Sequence, residues 1–389
     1  MHMIYLDNNA TTKIDPSVLE AMMPYLTSEF GNPASNHPFG AAINQQVKKA
    51  REQVADLIHC SPMELIFTSG ATESINIAIK GIAKELKNIG NHIITVATEH
   101  AAVLDTCYSL TNEGYELTIL RVGINGSINL EELNAAIRPT TILISVMFVN
   151  NETGVIQPIK QIADLAHQHQ IAFMSDGTQA VGKMPVDVYE LGIDILAFSG
   201  HKFYGPKGVG GLFIRNKRPY KVKLQPLLHG GGHELGLRSG TLNVAGIVGL
   251  GQAATLAMAE MEKYTKNIKT LRDGLENQLL QIDRSYVNGD PDNRLYNVSN
   301  IRFKDVDADA IIAGMDEIMI SNGSACSSTK TEPSHVLKAM GLSDDDCYSS
   351  IRISLGKFNN EMEIDVTVAT LKTAIAKLRQ MSLHTTSHS

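Results

Sequence analysis

The residues most able to do chemistry in this 389-residue chain stand in short polar turns, each placed directly after an apolar run. Lys202 lies in Ser199-Gly200-His201-Lys202, after Ile195-Leu196-Ala197-Phe198 and before Phe203-Tyr204-Gly205-Pro206. Its neighbours are a hydroxyl, an imidazole and small residues rather than the carboxylates that commonly pair with lysine. An amine so placed at a strand end can condense with a carbonyl group. Asp176 stands 26 residues earlier, at the end of the apolar run Ile171-Ala172-Phe173-Met174-Ser175. A lysine and an acid at two strand ends are what pyridoxal phosphate requires. The lysine holds the aldehyde, and the acid keeps the pyridine nitrogen protonated so that the ring accepts electrons. The plainer alternatives are a solvated surface lysine and a turn or helix-capping aspartate.

Other reactive types recur at the same kind of position. Leu65-Ile66-Phe67-Thr68 reads as a strand, and Ser69-Gly70-Ala71-Thr72-Glu73-Ser74 then opens an apolar helical pattern. Exposed N–H groups, the positive end of a helix and the Thr72 hydroxyl make a seat for a phosphate, unless Ser69 or Thr72 merely caps the helix. Ile93-Ile94-Thr95-Val96-Ala97 ends at Thr98-Glu99-His100, and a strand predicted over 141–149 ends at Asn150-Asn151. Cys326 stands in Asn322-Gly323-Ser324-Ala325-Cys326-Ser327-Ser328, which has no bulky side chain to bury a thiol. Cys60 and Cys347 lack such a setting, and Cys107 falls in a helical stretch where packing is expected.

These turns need a scaffold. Apolar runs alternate with helical stretches such as 42–58 and 157–169, a rhythm that predicts an α/β protein with a mainly parallel sheet covered on both faces. Ligands bind at the carboxyl ends of such strands. One or two long helices are expected over 251–282, and shorter strands and helices follow. The expected division is a large cofactor-binding domain over 16–257, with 1–15 and 258–389 forming a smaller α+β domain that carries the Cys326 loop. Composition is that of an ordinary globular protein, with 43% hydrophobic and 19% charged residues. A net charge of -7 argues against general binding to nucleic acid or an anionic membrane, and no run approaching the ~20 apolar residues of a membrane span is evident. Four cysteines without disulfide or metal spacing suit the cytoplasm, and no metal is expected.

Taken together, the motifs resemble those of cysteine desulfurases of the Nif/Isc type, pyridoxal-phosphate enzymes of the aminotransferase class-V family. The resemblance runs nearly end to end. It rests on 5–12, Phe30-Gly31-Asn32-Pro33, 68–74, Glu99-His100, 149–154, the Lys202 turn, Arg238-Ser239-Gly240-Thr241 and 321–326. It implies the fold type I architecture, with a seven-stranded sheet. It also implies site roles: Ala71, Thr72, Ser199 and His201 around the cofactor phosphate, Gln179 on its phenolic oxygen, and His100 stacked on the ring. Asn151 and Arg352 would take the substrate carboxylate. Thr241 would reach the phosphate of the neighbouring subunit's cofactor, which implies a homodimer. No other lysine is expected at the cofactor edge.

The implied reaction removes sulfur from L-cysteine, leaves L-alanine and places a persulfide on Cys326. Lys202, His100 and Cys326 would be catalytic. The partner would be a sulfur-acceptor protein, in iron–sulfur cluster assembly or another thiolation. A selenocysteine lyase or an aminotransferase on the same fold is the alternative, and only Cys326 and its loop separate the readings.

Overall fold

A computed structural model describes residues 3–323 and 332–386, with side chains through 381. The chain opens with β1 (Ile4–Tyr5), α1 (Pro16–Leu26) and α2 (Pro38–Leu57). Then strands and helices alternate: β2 (Leu65–Thr68), α3 (Ala71–Glu85), β3 (His92–Val96), α4 (Ala101–Thr111), β4 (Glu116–Leu120), α5 (Leu130–Ala136), β5 (Thr141–Ser145), α6 (Ile159–Gln168) and β6 (Ala172–Asp176). β7 (Ile195–Ser199), a single tight turn over Gly200–Lys202 and β8 (Gly210–Ile214) complete this part. These strands form one sheet of seven in the order β2-β8-β7-β6-β5-β3-β4. All neighbours run parallel except β8, which is antiparallel to both β2 and β7.

The strands of this sheet are largely apolar because both faces are covered. Every residue of β3, β5, β7 and β8 is buried. One face packs with Phe173, Phe198 and Phe213, the other with Ile75, Ile79, Ile93 and Leu212. The helix α6 shows how the covering works: Ile159, Ile162, Ala163 and Ala166 recur at helical spacing and are buried. Because β2, β3, β5, β6 and β7 point the same way, their carboxyl ends share one edge.

The strand expected over 141–149 stops at Ser145, yet the chain stays beside β6: Val146 N–H donates to Met174 O at 3.1 Å and Phe148 N–H to Asp176 O at 3.0 Å. The long helical region is a single helix, α7 (Val244–Leu279), which starts earlier than expected. It is long and apolar enough to cross a membrane by length and composition, contrary to the sequence expectation. Half of that apolar stretch is buried inside the protein. Ile247, Leu250 and Ala253 join the core under the large sheet, whereas Ile268, Leu275 and Leu279 join a second core.

That second core includes Ile4 and Leu6 from the start of the chain. The elements after α7 are β9 (Ser285–Val287), β10 (Val298–Phe303), α8 (Ala308–Ala313), β11 (Ile318–Met319), α9 (His335–Ala339), α10 (Asp344–Tyr348), β12 (Ser350–Ser354) and α11 (Glu361–Thr386); β10, α8, β11, β12 and α11 feed this core, whereas α9 and α10 pack a small cluster of their own. The strands form an antiparallel sheet in the order β12-β10-β9, and β1 pairs with β11.

Candidate active site

Five strand ends open into one cavity of about 550 Å³. Its walls include Ala71, Thr72, His100, Asn151, Asp176, Gln179, Ser199, His201, Lys202 and Arg352. Ten of the site residues named from sequence thus meet in one place although they span positions 71 to 352. Thr241 is exposed and does not line this cavity, and Cys326 lies outside the described residues.

Each side chain on the strand-end wall is held by local structure. The tight turn after β7 presents Lys202, whose Nζ donates to Asn9 O at 2.8 Å and Ala10 O at 2.7 Å. Asp176 closes β6, and its Oδ1 accepts from the Thr178 N–H at 2.9 Å and the Thr178 hydroxyl at 2.5 Å. His100 is the N-cap of α4, and its Nδ1 accepts from Ala102 N–H at 3.1 Å. In the neutral ring this leaves the proton on Nε2. Burial, then the charges of Lys202, Lys207 and Lys183, hold His201 down at about 4, so its imidazole is neutral near pH 7. His201 Nδ1 meets the Thr11 hydroxyl at 3.0 Å.

The helix start after β2 is shaped as an anion seat. Gly70, not Ser69 or Thr72, occupies the N-cap of α3, and no side chain caps it. A Cβ on Gly70 would stand 3.5 Å from Ser199 Oγ, so that hydroxyl lies beside the helix start, and the φ of +152° at this position favours glycine. The opposite wall comes from the second core. Arg352, in β12, donates from Nη2 to Asp7 Oδ1 at 2.7 Å and from Nη1 to Asn151 O at 3.2 Å. Its Nε is buried without a partner among the described residues.

Residues 4–366 match the family Aminotransferase class-V. The chain is 48% identical to the cysteine desulfurase IscS of Pectobacterium carotovorum, over 97% of this chain and 94% of that protein. A solved structure described as a NifS-like protein has a TM-score of 0.90 and 36% identity, covering 96% of this chain and 99% of that one. Another, SspA in complex with cysteine, has a TM-score of 0.82 and 38% identity, covering 92% and 100%. The chain belongs to the class-V aminotransferase family, in its Nif/Isc cysteine desulfurase branch.

As a member of this branch it is a pyridoxal-phosphate enzyme, and the cavity suits that group. An uncapped helix start beside Ser199 fits a phosphate, a lysine amine fits an aldehyde, and a carboxylate strapped by Thr178 fits a ring nitrogen.

The structure also gives contacts to residues for which the sequence named no role. Lys207 lines the cavity, so Lys202 is not the only lysine at this edge. Lys183 is fully buried, and its Nζ donates to Gln179 Oε1 at 2.6 Å and Asn9 Oδ1 at 3.2 Å. Burial, followed by the charges of Lys202 and Arg352, holds it well below the usual lysine range. Its spacing of four from Gln179 was the available signal. Asn9 is a hub: its Nδ2 donates to Asn151 O at 3.1 Å, and its backbone O accepts from Gln179 Nε2 at 2.9 Å. Glu99 accepts Met147 N–H at 2.5 Å, while burial and then the charge of Asp176 push it well above the usual carboxylate range.

The described thiols are poor nucleophiles. Burial pushes Cys60 and Cys107 up to about 12 and Cys347 to about 11, with nearby carboxylates adding to each.

Proposed function

We propose that this enzyme is a cysteine desulfurase that takes sulfur from L-cysteine onto Cys326 and releases L-alanine. The observation that carries the reading is the single cavity that joins Lys202, Asp176 and His100 to Asn151 and Arg352. In this reading Lys202 holds the cofactor carbonyl and Asp176 its ring nitrogen. Ala71, Thr72, Ser199 and His201 hold the phosphate, Gln179 holds the phenolic oxygen, and His100 lies against the ring. Bound pyridoxal phosphate supplies an electron sink that weakens the bonds around the substrate α-carbon.

The chain's own residues do the rest. The Arg352 fork and Asn151 grip the substrate carboxylate, for which a planar guanidinium is better suited than an ammonium. His100 carries a proton at Nε2 on the cavity wall and can pass it to or from the reacting atoms. The Cys326 thiolate attacks the substrate sulfur. A sulfur–sulfur bond forms and the carbon–sulfur bond breaks. Its electron pair stays with the three-carbon fragment, which gains protons to become alanine. Assay of alanine and persulfide or sulfide from L-cysteine tests the reading, and purified enzyme that forms neither overturns it.

The reading extends to residues 16–257 as the cofactor-binding domain, with 1–15 and 258–389 as the small domain. It also extends to a cytoplasmic homodimer that serves a sulfur-acceptor protein, in iron–sulfur cluster assembly or another thiolation, without direct contact with nucleic acid or membrane. The exposed position of Thr241 supports the dimer, because a residue outside its own cavity is available to the partner's phosphate. Glu73 adds support: it accepts Arg238 Nε at 2.9 Å, which ties the segment before Thr241 to the phosphate seat. Thr241→Ala should weaken cofactor retention about fivefold, the worth of one hydrogen bond. A fully active monomer by light scattering would refute the dimer.

A further inference from the structure

Glu152 is buried in the turn after β5, next to Asn151, and does not line the cavity. Its Oε2 accepts the Ser334 hydroxyl at 2.5 Å. That hydroxyl in turn accepts Leu337 N–H at 3.2 Å, as the N-cap of α9. The same Oε2 faces Gly323: a Cβ there would stand 2.7 Å from it, and Gly323 has a φ of +86°. One carboxylate oxygen therefore bonds one described flank of the segment 324–331, which contains Cys326, and lies close to the other.

Besides the bond from Asn322 Nδ2 to Asp309 Oδ1 at 2.7 Å, three further ties of these flanks and their turn run to the same wall. Ser321 and Arg352 exchange backbone hydrogen bonds, from Ser321 N–H at 3.2 Å and from Arg352 N–H at 2.6 Å. His335 Nε2 meets Glu99 O at 2.9 Å, one residue before His100. Asn300 Nδ2 donates to Glu152 O at 3.3 Å, which holds the turn onto β10. Each of these three lands on a residue of the cavity wall or on its chain neighbour. Burying a carboxyl away from the cavity is costly unless it is hydrogen-bonded, and here the Ser334 hydroxyl on one flank supplies that bond while Gly323 on the other packs close to it.

We propose that Glu152 is a positioning residue for sulfur transfer: it holds Gly323 and Ser334 against the substrate-binding turn at Asn151. Both ends of the Cys326 segment then start from the wall that receives L-cysteine. The inference rests on Cys326 being the sulfur acceptor. Glu152 acts on the thiol through its flanks and touches neither cofactor nor substrate.

The test uses holoenzyme carrying Glu152→Ala, Glu152→Gln, Ser334→Ala and the Glu152→Ala/Ser334→Ala pair. Glu152→Ala should lower kcat for alanine roughly 10- to 100-fold, as small misplacements of reacting groups do, while KM and the absorbance change induced by L-cysteine stay close to wild type. Ser334→Ala should move the same way. The pair should be no worse than Glu152→Ala alone, because both break one bond. Glu152→Gln keeps an acceptor oxygen and should recover most of the loss.

A kcat for Glu152→Ala within about twofold of wild type overturns the proposal. So does a loss of the L-cysteine absorbance change in proportion to kcat, which marks a general structural role. If Glu152→Ala does not fold, Ser334→Ala decides by the same two readouts. Cys326→Ser, run alongside, separates the failures. Alanine at the wild-type rate from that variant defeats the desulfurase reading itself, whereas its collapse beside an unaffected Glu152→Ala defeats only the positioning role.

Discussion

The two walls of the cavity are built in different ways. On one side, five strands of the large sheet end in turns that deliver the lining groups, some held locally, as Thr178 holds Asp176 and Ala102 holds His100, although Lys202 also reaches Asn9 O and Ala10 O. On the other side, Arg352 depends on partners far away in the chain, Asp7 and Asn151, and it sits in a strand of the second core. The first wall is assembled when the sheet forms. The second exists only when the chain start, β12 and the turn at Asn151 have come together. In the proposed reading the cofactor groups lie on the wall of strand ends, and Arg352, which would grip the substrate, lies on the wall made by long-range contacts.

Substitutions on the two walls should therefore fail differently. The largest effect is expected for Lys202→Ala, which should lose the cofactor's protein-linked absorbance and cut turnover by more than about 1000-fold. Borohydride reduction of the wild-type enzyme should fix the cofactor on Lys202. Mapping it to Lys183 or Lys207, both close by, would break the assignment. Cys326→Ser comes next. It should keep the absorbance and its response to L-cysteine while alanine formation collapses, and mass spectrometry of wild type should find the added sulfur on Cys326. Sulfur on Cys60, Cys107 or Cys347 would contradict the burial that suppresses those thiols.

Arg352→Lys should be milder and confined to the second wall. It keeps a positive charge near Asp7 but loses the fork, so KM for L-cysteine should rise roughly tenfold with the cofactor spectrum unchanged. A lost spectrum would show that the walls are not separable. The smallest effect is one of pH on cofactor-stripped protein. The His201 value of about 4 lies below the ordinary histidine value of 6.5, so between these limits the unfolded chain binds more protons than the folded one. Stability should be full above about pH 6.5 and fall as pH drops towards 4. Urea midpoints at pH 5 and 7 should differ more in wild type than in His201→Gln, and equal differences would remove His201 from this account.

The same contrast explains what could be read beforehand. Strand-end residues such as Lys202, Asp176 and His100 were legible because each is preceded by its own apolar run and followed by turn or helix-start residues. Asn9 stood inside the motif at 5–12 and Lys183 four residues after Gln179, but neither position pointed to its contacts. Asn9 sits in a polar turn of the kind found on any surface, and its importance lies in bonds to residues more than 100 positions away. Glu152 is similar: its neighbours in sequence point to a turn, while its partners Gly323 and Ser334 come from the far end of the chain.

From sequence alone, periodicity and turn chemistry determined the alternating α/β order and the strand-end placement of the reactive groups, since these depend on neighbours a few residues apart. The motif set determined the family. Tertiary structure decided which of these groups share a cavity, that Gly70 rather than a hydroxyl residue stands at the N-cap of α3, and that Lys183 is buried behind Gln179. It also decided that α7 serves both cores as one unbroken helix. Burial, electrostatic coupling and long-range hydrogen bonds are properties of proximity in space, and no local pattern of residues encodes proximity between positions 7 and 352.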